Sequence, residues 1–342
     1  MNFTRLAFML LGLITLLSSG ACASVKTNVF PLGDSYLKEE QLYSRLKEIA
    51  ALNPGLAKLR VIGFSGTNEI PLYALEIGMA SAPRRILIIG QHHGDEVLGV
   101  QLAVALANEL VTKWKKDSRW ERILDEFQFW IVPTINPEGW RSVSRGEYQW
   151  KRKNNRDTDK NKRFDLRTDG IDLNRNYPVF WADDPPVPAI NPYYKGERPA
   201  SEPEIQAIMK LADTHQYDLA IFYHSSASGA YSEKIYLPAW VVTDEEQKSR
   251  IVKLMDFAKD YAALIKRDYQ KGHYQVGEGN SSRVGNARNY FFHTHGTDAM
   301  LVEVGGINSS GVSVIHPPEA MMKKIVDRHI QALRKVLYKR SG

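Results

Sequence analysis

Cysteine is almost absent from this chain of 342 residues: Cys22 is the only one, and it lies near the amino terminus. The rest of the sequence has no thiol for a disulfide, a zinc knuckle or a thiolate nucleophile. Any metal site must therefore use His, Asp or Glu side chains. The sequence also lacks internal repeats and low-complexity segments, which excludes collagen-like chains and argues against coiled coils and disorder.

A strong excess of charge of either sign is also missing. The net charge is +6 with 25% charged residues, a mildly basic balance that does not indicate a nucleic-acid partner. Apolar residues make up 43% of the chain. For a chain of this size, surface scaling predicts that about three quarters of the unfolded surface is buried on folding. No shift of composition divides residues 36–342, so we expect a single domain of the size of an ordinary enzyme there.

Long hydrophobic runs are missing too, and the longest is LAFMLLGLITLL at residues 6–17. It is too short to span a bilayer, and no transmembrane span is expected. Arg5 before it and small residues after it predict a signal peptide at 1–23, followed by an extension at 24–35. Cleavage after the A-x-A site and lipidation of Cys22 both stay open. We therefore expect an exported protein, either periplasmic or secreted, with or without a lipid anchor.

Apolar runs of strand length alternate with amphipathic stretches of helix length between residues 38 and 339. Runs such as ILIIG (86–90) and LAIFY (219–223) are apolar throughout, which is typical of strands covered by helices on both faces. The pattern predicts a mixed α/β fold. Ser201 and Glu204 predict a capping box at the start of a helix over 202–215. Residues 144–199 have little periodicity and are predicted to form long ordered loops, which often carry function.

Two of these apolar runs are followed by histidines. His93 and Glu96 come directly after ILIIG, and His224 follows LAIFY. Because sites form at the carboxyl ends of strands in open α/β sheets, these three side chains could meet at one point. Catalytic zinc sites use three protein ligands and leave one position open. Each histidine taken alone could equally be a structural residue.

Three further segments carry candidate site residues. Asn174 and Arg175 lie in GIDLNRNY, where an arginine fork beside an amide could bind a carboxylate. Glu303 is a lone acid in the apolar strand MLVEVGG, which is costly unless it pairs, binds a metal or takes part in catalysis. Tyr274 lies in the glycine-rich segment HYQVGEGN and means little by itself.

Taken in this order, the segments resemble the zinc carboxypeptidase family over about residues 36–338. The family's HxxE is matched by His93 and Glu96, and its later HS by His224 and Ser225. Its G-[VI]-D-x-N-R-N is matched by residues 170–176. Four further matches are the P-x-x-N-P-[DE]-G segment at 133–139, the segment at 194–202, the glutamate at Glu303 and the tyrosine at Tyr274, followed by Gln275.

The resemblance implies a mixed eight-stranded sheet covered by helices on both faces, and one Zn²⁺ per chain bound by His93, Glu96 and His224. Glu303 would take a proton from the attacking water and pass it to the leaving amine. Asn174, Arg175 and Tyr274 would hold the terminal carboxylate of a peptide.

The resemblance also implies an arginine that stabilises the oxyanion, normally placed directly after a tryptophan. Here Trp150 is followed by Lys151, so an insertion must be assumed. Arg152 restores the family's R-x-N pattern and is preferred, with Arg156 as the alternative. The residue that reads the released side chain aligns ambiguously among Glu278, Ser281 and Arg283, so the side-chain preference is unassigned.

Several alternatives stay open for the function. The substrate could be an ordinary peptide or a stem peptide of the bacterial cell wall, and a monomer is expected. An N-acyl amino-acid deacylase of the related type shares several of these motifs, and a module on the same fold that binds without catalysis is a third reading. A second metal pair is also conceivable, because His293 and His295 would share a face if they lay on a strand.

Overall fold

The structure, a computed structural model, describes residues 32–241, 243–277, 282–308, 310 and 313–341. Within these ranges eight strands form one sheet: β1 (Ala57–Phe64), β2 (Pro71–Ile77), β3 (Arg84–Ile89), β4 (Phe127–Val132), β5 (Leu219–His224), β6 (Lys234–Tyr236), β7 (Gln275–Val276) and β8 (Asp298–Glu303). The α-helices of the same part of the chain are α1 (Leu42–Leu52), α2 (Leu98–Lys113), α3 (Ser118–Glu126), α4 (Pro137–Ser144), α5 (Pro203–Thr214), α6 (Glu245–Leu264), α7 (Ala287–His295) and α8 (Glu319–Arg340).

The sheet is mixed, with the strand order β1-β2-β4-β3-β5-β8-β6-β7. Its central strands β4, β3, β5 and β8 run parallel, whereas β1, β2 and β6 pair antiparallel to their neighbours toward the centre. Every residue of β4 and β5 is buried, as continuous apolar runs require. Helices α1, α2, α3, α6 and α8 pack together as one group, and α5 contacts α7 in another. The predicted α/β fold, with an eight-stranded sheet between helices, is confirmed.

The parallel centre of the sheet brings three strand ends to one edge. β3 leads directly into residues 90–96, β5 ends at His224 and β8 ends at Glu303. In the register of β5 and β8, His224 lies opposite Glu303. Since β5 lies between β3 and β8, the carboxyl ends of all three strands face the same region.

The predicted capping box at the start of α5 is wrong, although the helix itself is confirmed. Glu202 is the residue before the first helical turn, and no side chain caps that turn. The Ser201 hydroxyl instead donates to Glu202 Oε1, and Glu204 Oε1 accepts from the Gly66 amide. Pro203 at the first position lacks an N–H, which removes one of the donors that a cap would satisfy.

The strand face that His293 and His295 would need to share for a metal pair is not formed, because both residues lie on α7. Residues two apart on a helix point in different directions. His293 Nε2 donates to the Ala239 carbonyl at 2.6 Å, and His295 Nε2 lies 3.0 Å from the Tyr290 hydroxyl. Each histidine therefore has its own structural partner.

The loops predicted between residues 144 and 199 are confirmed, since one 3₁₀ turn at Leu173–Arg175 is the only helix described there and no strand is described. Two buried lysines help to fix these loops. Lys151 Nζ donates to the Asn154 carbonyl and Lys153 Nζ to the Ala189 carbonyl, both at 2.6 Å. No helix in the part of the chain that the structure describes is long and apolar enough to cross a membrane.

Candidate active site

His93, Glu96 and His224 meet at the carboxyl ends of β3 and β5. Glu96 Oε1 lies 2.7 Å from His93 Nδ1, and Glu96 Oε2 lies 2.8 Å from His224 Nδ1. The two Nδ1 atoms are 3.3 Å apart. All three side chains are buried, and their ligand atoms lie within 4.8 Å of one another. The structure thus brings together the three predicted metal ligands.

The charges of these groups suit a divalent cation. Burial lowers the pKa of His224 to about 4, so this imidazole is neutral and its Nδ1 can donate a lone pair. Burial acts against ionisation of Glu96, but His93 and His224 bring the pKa of its carboxyl well below the ordinary value. Burial and Arg152 lower the pKa of His93, yet Glu96 and Asp172 raise it to about 9, so a bound cation would displace a proton from this imidazole. Two imidazole nitrogens and one carboxylate are a donor set that fits zinc with one position left open.

Asp172, which the sequence analysis quoted only as part of a motif, orients two site residues. It is fully buried, and its Oδ1 accepts from His93 Nε2 at 3.0 Å. Its Oδ2 accepts from Arg152 Nη2 at 2.7 Å and from Arg152 Nε at 3.0 Å. Burial opposes its ionisation, but Arg152 and His93 bring its pKa well below the usual range. Asp172 therefore turns the Nδ1 of His93 toward the cluster, as outer carboxylates do in metal sites.

Arg152 is the arginine that reaches the cluster. Its Nη1 lies 3.2 Å from His93 Nδ1 and 3.7 Å from Glu96 Oε1. The alternative, Arg156, points elsewhere: its Nε donates to Glu202 Oε2 at 3.0 Å. Of the two arginines, Arg152 therefore places its positive charge next to the metal donors, and Arg156 does not.

Glu303, the last residue of β8, lies beside the cluster. Its Oε2 is buried and has no hydrogen-bond partner among the described residues. Burial and the nearby Glu96 carboxylate raise the pKa of Glu303 to about 8. A carboxyl group with a free oxygen and a pKa near neutrality is suited to exchange protons with a substrate or a water molecule.

Asn174 and Arg175 form a further part of the site. Asn174 Nδ2 lies 3.4 Å from His224 Nε2, and Arg175 Nη1 donates to the Asn174 carbonyl at 2.9 Å. The Tyr193 ring lies 4.9 Å from Cζ of Arg152 and 5.5 Å from Cζ of Arg175. The two arginines therefore lie near the same aromatic ring at the edge of the cluster.

Tyr274 does not join these residues in the described conformation. Its ring is 4% exposed and packs edge-to-face against His329 of α8, with 5.2 Å between the centroids. Its hydroxyl accepts from the Gly305 amide at 3.2 Å. Of the residues considered for side-chain recognition, Glu278 and Ser281 lie outside the described residues. Arg283 is exposed and pairs with Asp183 at 2.8 Å.

Sequence reasoning missed Arg288, in the first turn of α7. The guanidinium interacts electrostatically with Arg175, Glu303 and Tyr236, and its Nε is buried without a hydrogen-bond partner among the described residues. The signal that could have found it is the asparagine cap at Asn286, which marks the helix start and hence the position of Arg288.

Asn136 and Gly94 connect the metal-binding turn to the segment that carries Arg152. Asn136 Nδ2 donates to the carbonyls of His92 and Arg152 at 3.0 and 3.1 Å, and the Gly94 amide donates to the Arg152 carbonyl at 3.2 Å. A Cβ on Gly94 would lie 2.6 Å from the Lys151 carbonyl oxygen, which no side chain can tolerate without a shift of backbone.

This fold and this arrangement of donors are those of a zinc carboxypeptidase. The zinc carboxypeptidase family matches residues 42–332, and the chain belongs to that family.

Relatives and solved structures agree with this assignment. Carboxypeptidase A6 of Mus musculus is 26% identical over 208 residues, which are 59% of this chain and 45% of the mouse protein. The inactive metallocarboxypeptidase ECM14 of Ajellomyces capsulatus is 29% identical over 237 residues, 62% of this chain and 37% of the fungal protein. The chain thus spans less than half the length of these two relatives. The carboxypeptidase A structure from Helicoverpa armigera superposes with a TM-score of 0.75 at 18% identity, covering 90% of this chain and 73% of that one, and shows the shared fold.

Proposed function

We propose that this protein is a zinc-dependent carboxypeptidase that hydrolyses the C-terminal amide bond of peptides. The observation that carries the proposal is the position of Glu303, whose free, buried oxygen lies beside a cluster of three metal donors. His93, Glu96 and His224 would hold one Zn²⁺. Zinc at such a site polarises a carbonyl and makes water a nucleophile at neutral pH.

The proton transfers fall to Glu303 in this proposal. Its carboxylate takes a proton from the attacking water, and the resulting acid donates that proton to the amine that leaves. The unpartnered Oε2 supports this role, because no hydrogen bond to the protein has to break before the transfer. Arg152 stabilises the oxyanion that forms at the scissile carbonyl, and Asp172 fixes the direction of its guanidinium.

Asn174 and Arg175 bind the terminal carboxylate of the substrate. Arg175 has a single acidic neighbour within 4 Å in the described residues, Asp184 at 3.8 Å, and can therefore offer its donors to an anion. This recognition restricts cleavage to chain ends. A role for Tyr274 in the same contact requires a side-chain position different from the buried one described.

Two other functions are compatible with the family. The match to ECM14, an inactive metallocarboxypeptidase by name, makes a binding module a real alternative. Against it, the metal donors, the base candidate and the arginine are all present here. An N-acyl amino-acid deacylase would use the same cluster on a different acyl group. Ordinary peptides and cell-wall stem peptides both remain candidate substrates.

One assay separates these functions. The zinc-loaded protein is incubated with peptides, cell-wall muropeptides and N-acyl amino acids, and the released products are identified by mass. We expect single residues to leave the carboxyl ends of peptides or stem peptides, and no product from the matched Glu303→Gln variant. Release from N-acyl amino acids alone would support a deacylase. No product from any substrate, together with peptide binding, would support the binding module.

Export remains a prediction from the sequence. The signal peptide at 1–23, Cys22 and most of the extension at 24–35 lie outside the described residues. In this prediction the mature chain begins at Ser24 and the catalytic domain begins at residue 36.

A further inference from the structure

Arg288 occupies an unusual electrostatic position in the site. It is the second residue of α7, whose helix begins after Asn286. The amide of the preceding residue, Ala287, donates to Asn174 Oδ1 at 3.1 Å, so this helix end is fixed against the carboxylate-binding segment. A cation in the first turn of a helix is unfavourable, because the partial charge there is already positive. The local structure therefore gives no reason for an arginine at this position.

The positive charge of Arg288 is also poorly balanced by the protein. Arg152 has Asp172 at 2.7 Å, and Arg175 has Asp184 at 3.8 Å. No carboxylate of the described residues lies within 4 Å of the Arg288 guanidinium, and its Nε has no partner there. Burial and the nearby Arg175 lower the pKa of Arg288 to about 10, so the surroundings of the guanidinium disfavour its positive charge.

A second anion would resolve this imbalance. The terminal carboxylate of a substrate supplies one negative charge, which Arg175 and Asn174 would take. Arg288 lies close enough to Arg175 and to Glu303 to interact with both, with the Tyr236 ring 5.9 Å from its Cζ. Arg288 therefore lies near the residues that would hold the terminal residue of a bound peptide.

We propose that Arg288 binds the side-chain carboxylate of the terminal residue, so that the enzyme releases acidic residues in preference to neutral or basic ones. This inference rests on the proposed carboxypeptidase function. A neutral side chain would leave the half-buried guanidinium and its buried Nε without a partner, and a basic one would add repulsion. A charged hydrogen-bonded pair predicts a preference of about 10-fold to 100-fold for terminal Glu over terminal Gln, which has the same shape.

The test uses one blocked peptide series that ends in Glu, Gln, Leu or Lys. The ratio of kcat/KM for Glu over Gln is measured for the zinc-loaded wild type and for Arg288→Gln, Arg288→Lys and Arg283→Gln. We expect the ratio to fall to near one in Arg288→Gln and to survive in part in Arg288→Lys, which keeps the charge. Arg283→Gln removes an exposed charge five residues away and should keep the wild-type ratio.

Binding gives a second readout that does not need turnover. Dissociation constants for the Glu and Gln peptides are measured by calorimetry in the Glu303→Gln background, with and without Arg288→Gln. Zinc content and the melting temperature confirm that the variants fold. A Glu preference in binding that disappears in the Arg288→Gln variant supports the inference, even if the wild type hydrolyses no peptide. Absence of hydrolysis would refute only the carboxypeptidase function. Equal cleavage of the two peptides by the wild type, together with equal binding of them by the Glu303→Gln protein, would overturn the role of Arg288 and leave the proposed function intact.

Discussion

The Glu303→Gln substitution tests the proton-transfer role of this residue, because it should lower kcat and at the same time raise the stability of the metal-free protein at alkaline pH. Glutamine keeps the shape of the side chain but cannot accept a proton. General bases typically contribute about 100-fold to 10,000-fold to the rate, so kcat should fall by that factor. Zinc content should stay at the wild-type level, because Glu303 is not one of the three clustered donors.

The same substitution should stabilise the metal-free protein at alkaline pH. Burial raises the pKa of Glu303 from 4.5 to about 8. Between these values the unfolded chain releases the proton while the folded chain keeps it, so rising pH favours unfolding. At about 1.4 kcal/mol per pKa unit, the wild type should lose about 3–4 kcal/mol of unfolding free energy between pH 5 and pH 9 relative to the variant.

The assays are turnover per zinc-loaded chain and urea unfolding of the chelator-treated protein at pH 5 and pH 9. A glutamate with a purely structural role would behave in the reverse way, with near-normal turnover and a less stable variant. Retention of a tenth or more of the wild-type kcat, at normal zinc content, would refute the assignment of Glu303 as the base.

Three other substitutions test the metal site, the oxyanion site and one buried acid, Glu204. His224→Ala should reduce zinc from about one per chain to near zero by elemental analysis, whereas His293→Ala should retain it; equal zinc in both would contradict the ligand set. Arg152→Gln should lower kcat about 100-fold to 1,000-fold, and the matched Arg156→Gln should change kcat less than about 3-fold. A larger loss of kcat in Arg156→Gln than in Arg152→Gln would assign the oxyanion role to Arg156. Burial raises the pKa of Glu204 to about 8, so the wild type should lose unfolding free energy between pH 5 and pH 9. The Glu204→Gln variant should lose less over the same pH range. An equal loss in both proteins would show that Glu204 is ionised in the folded state.

The central strands and the residues at their ends could be predicted because of how a buried parallel sheet is built. Such strands carry continuous apolar runs, and the first polar residues after them lie at the edge where sites form. The predicted runs at 86–90 and 219–223 agree with β3 and β5 to within about two residues at each end. His93 and His224 were found by this logic, Glu303 was found as a lone acid in an apolar strand, and the family resemblance added the role expected of Glu303.

Helix α7 could not be read from periodicity, because its sequence ARNYFFHTH is rich in aromatic residues that also favour strands. The signals at its ends were nevertheless present: Asn286 accepts from the Asn289 amide at the start, and Gly296 has φ of +65° at the end. Without them the two histidines of this helix were considered as strand neighbours, and Arg288 was not considered at all.

Tyr274 shows a limit of reading a residue by its place in the chain. It lies just before the edge strand β7, where neighbouring side chains point to opposite faces. Tyr274 is buried and Gln275 is exposed, so the aromatic ring enters the core beside α8. A motif match gives the position along the chain, but the direction of the side chain depends on packing.

The backbone contacts of Gly94 and the amide of Asn136 have a consequence for enzyme handling. They join the ligand turn to the arginine segment through hydrogen bonds that involve neither zinc nor a ligand atom. Extraction of a bound metal should therefore leave Arg152 in its position next to the three metal donors. Reconstitution needs only the arrival of the ion, and activity should return at the rate of metal binding without a slow conformational phase.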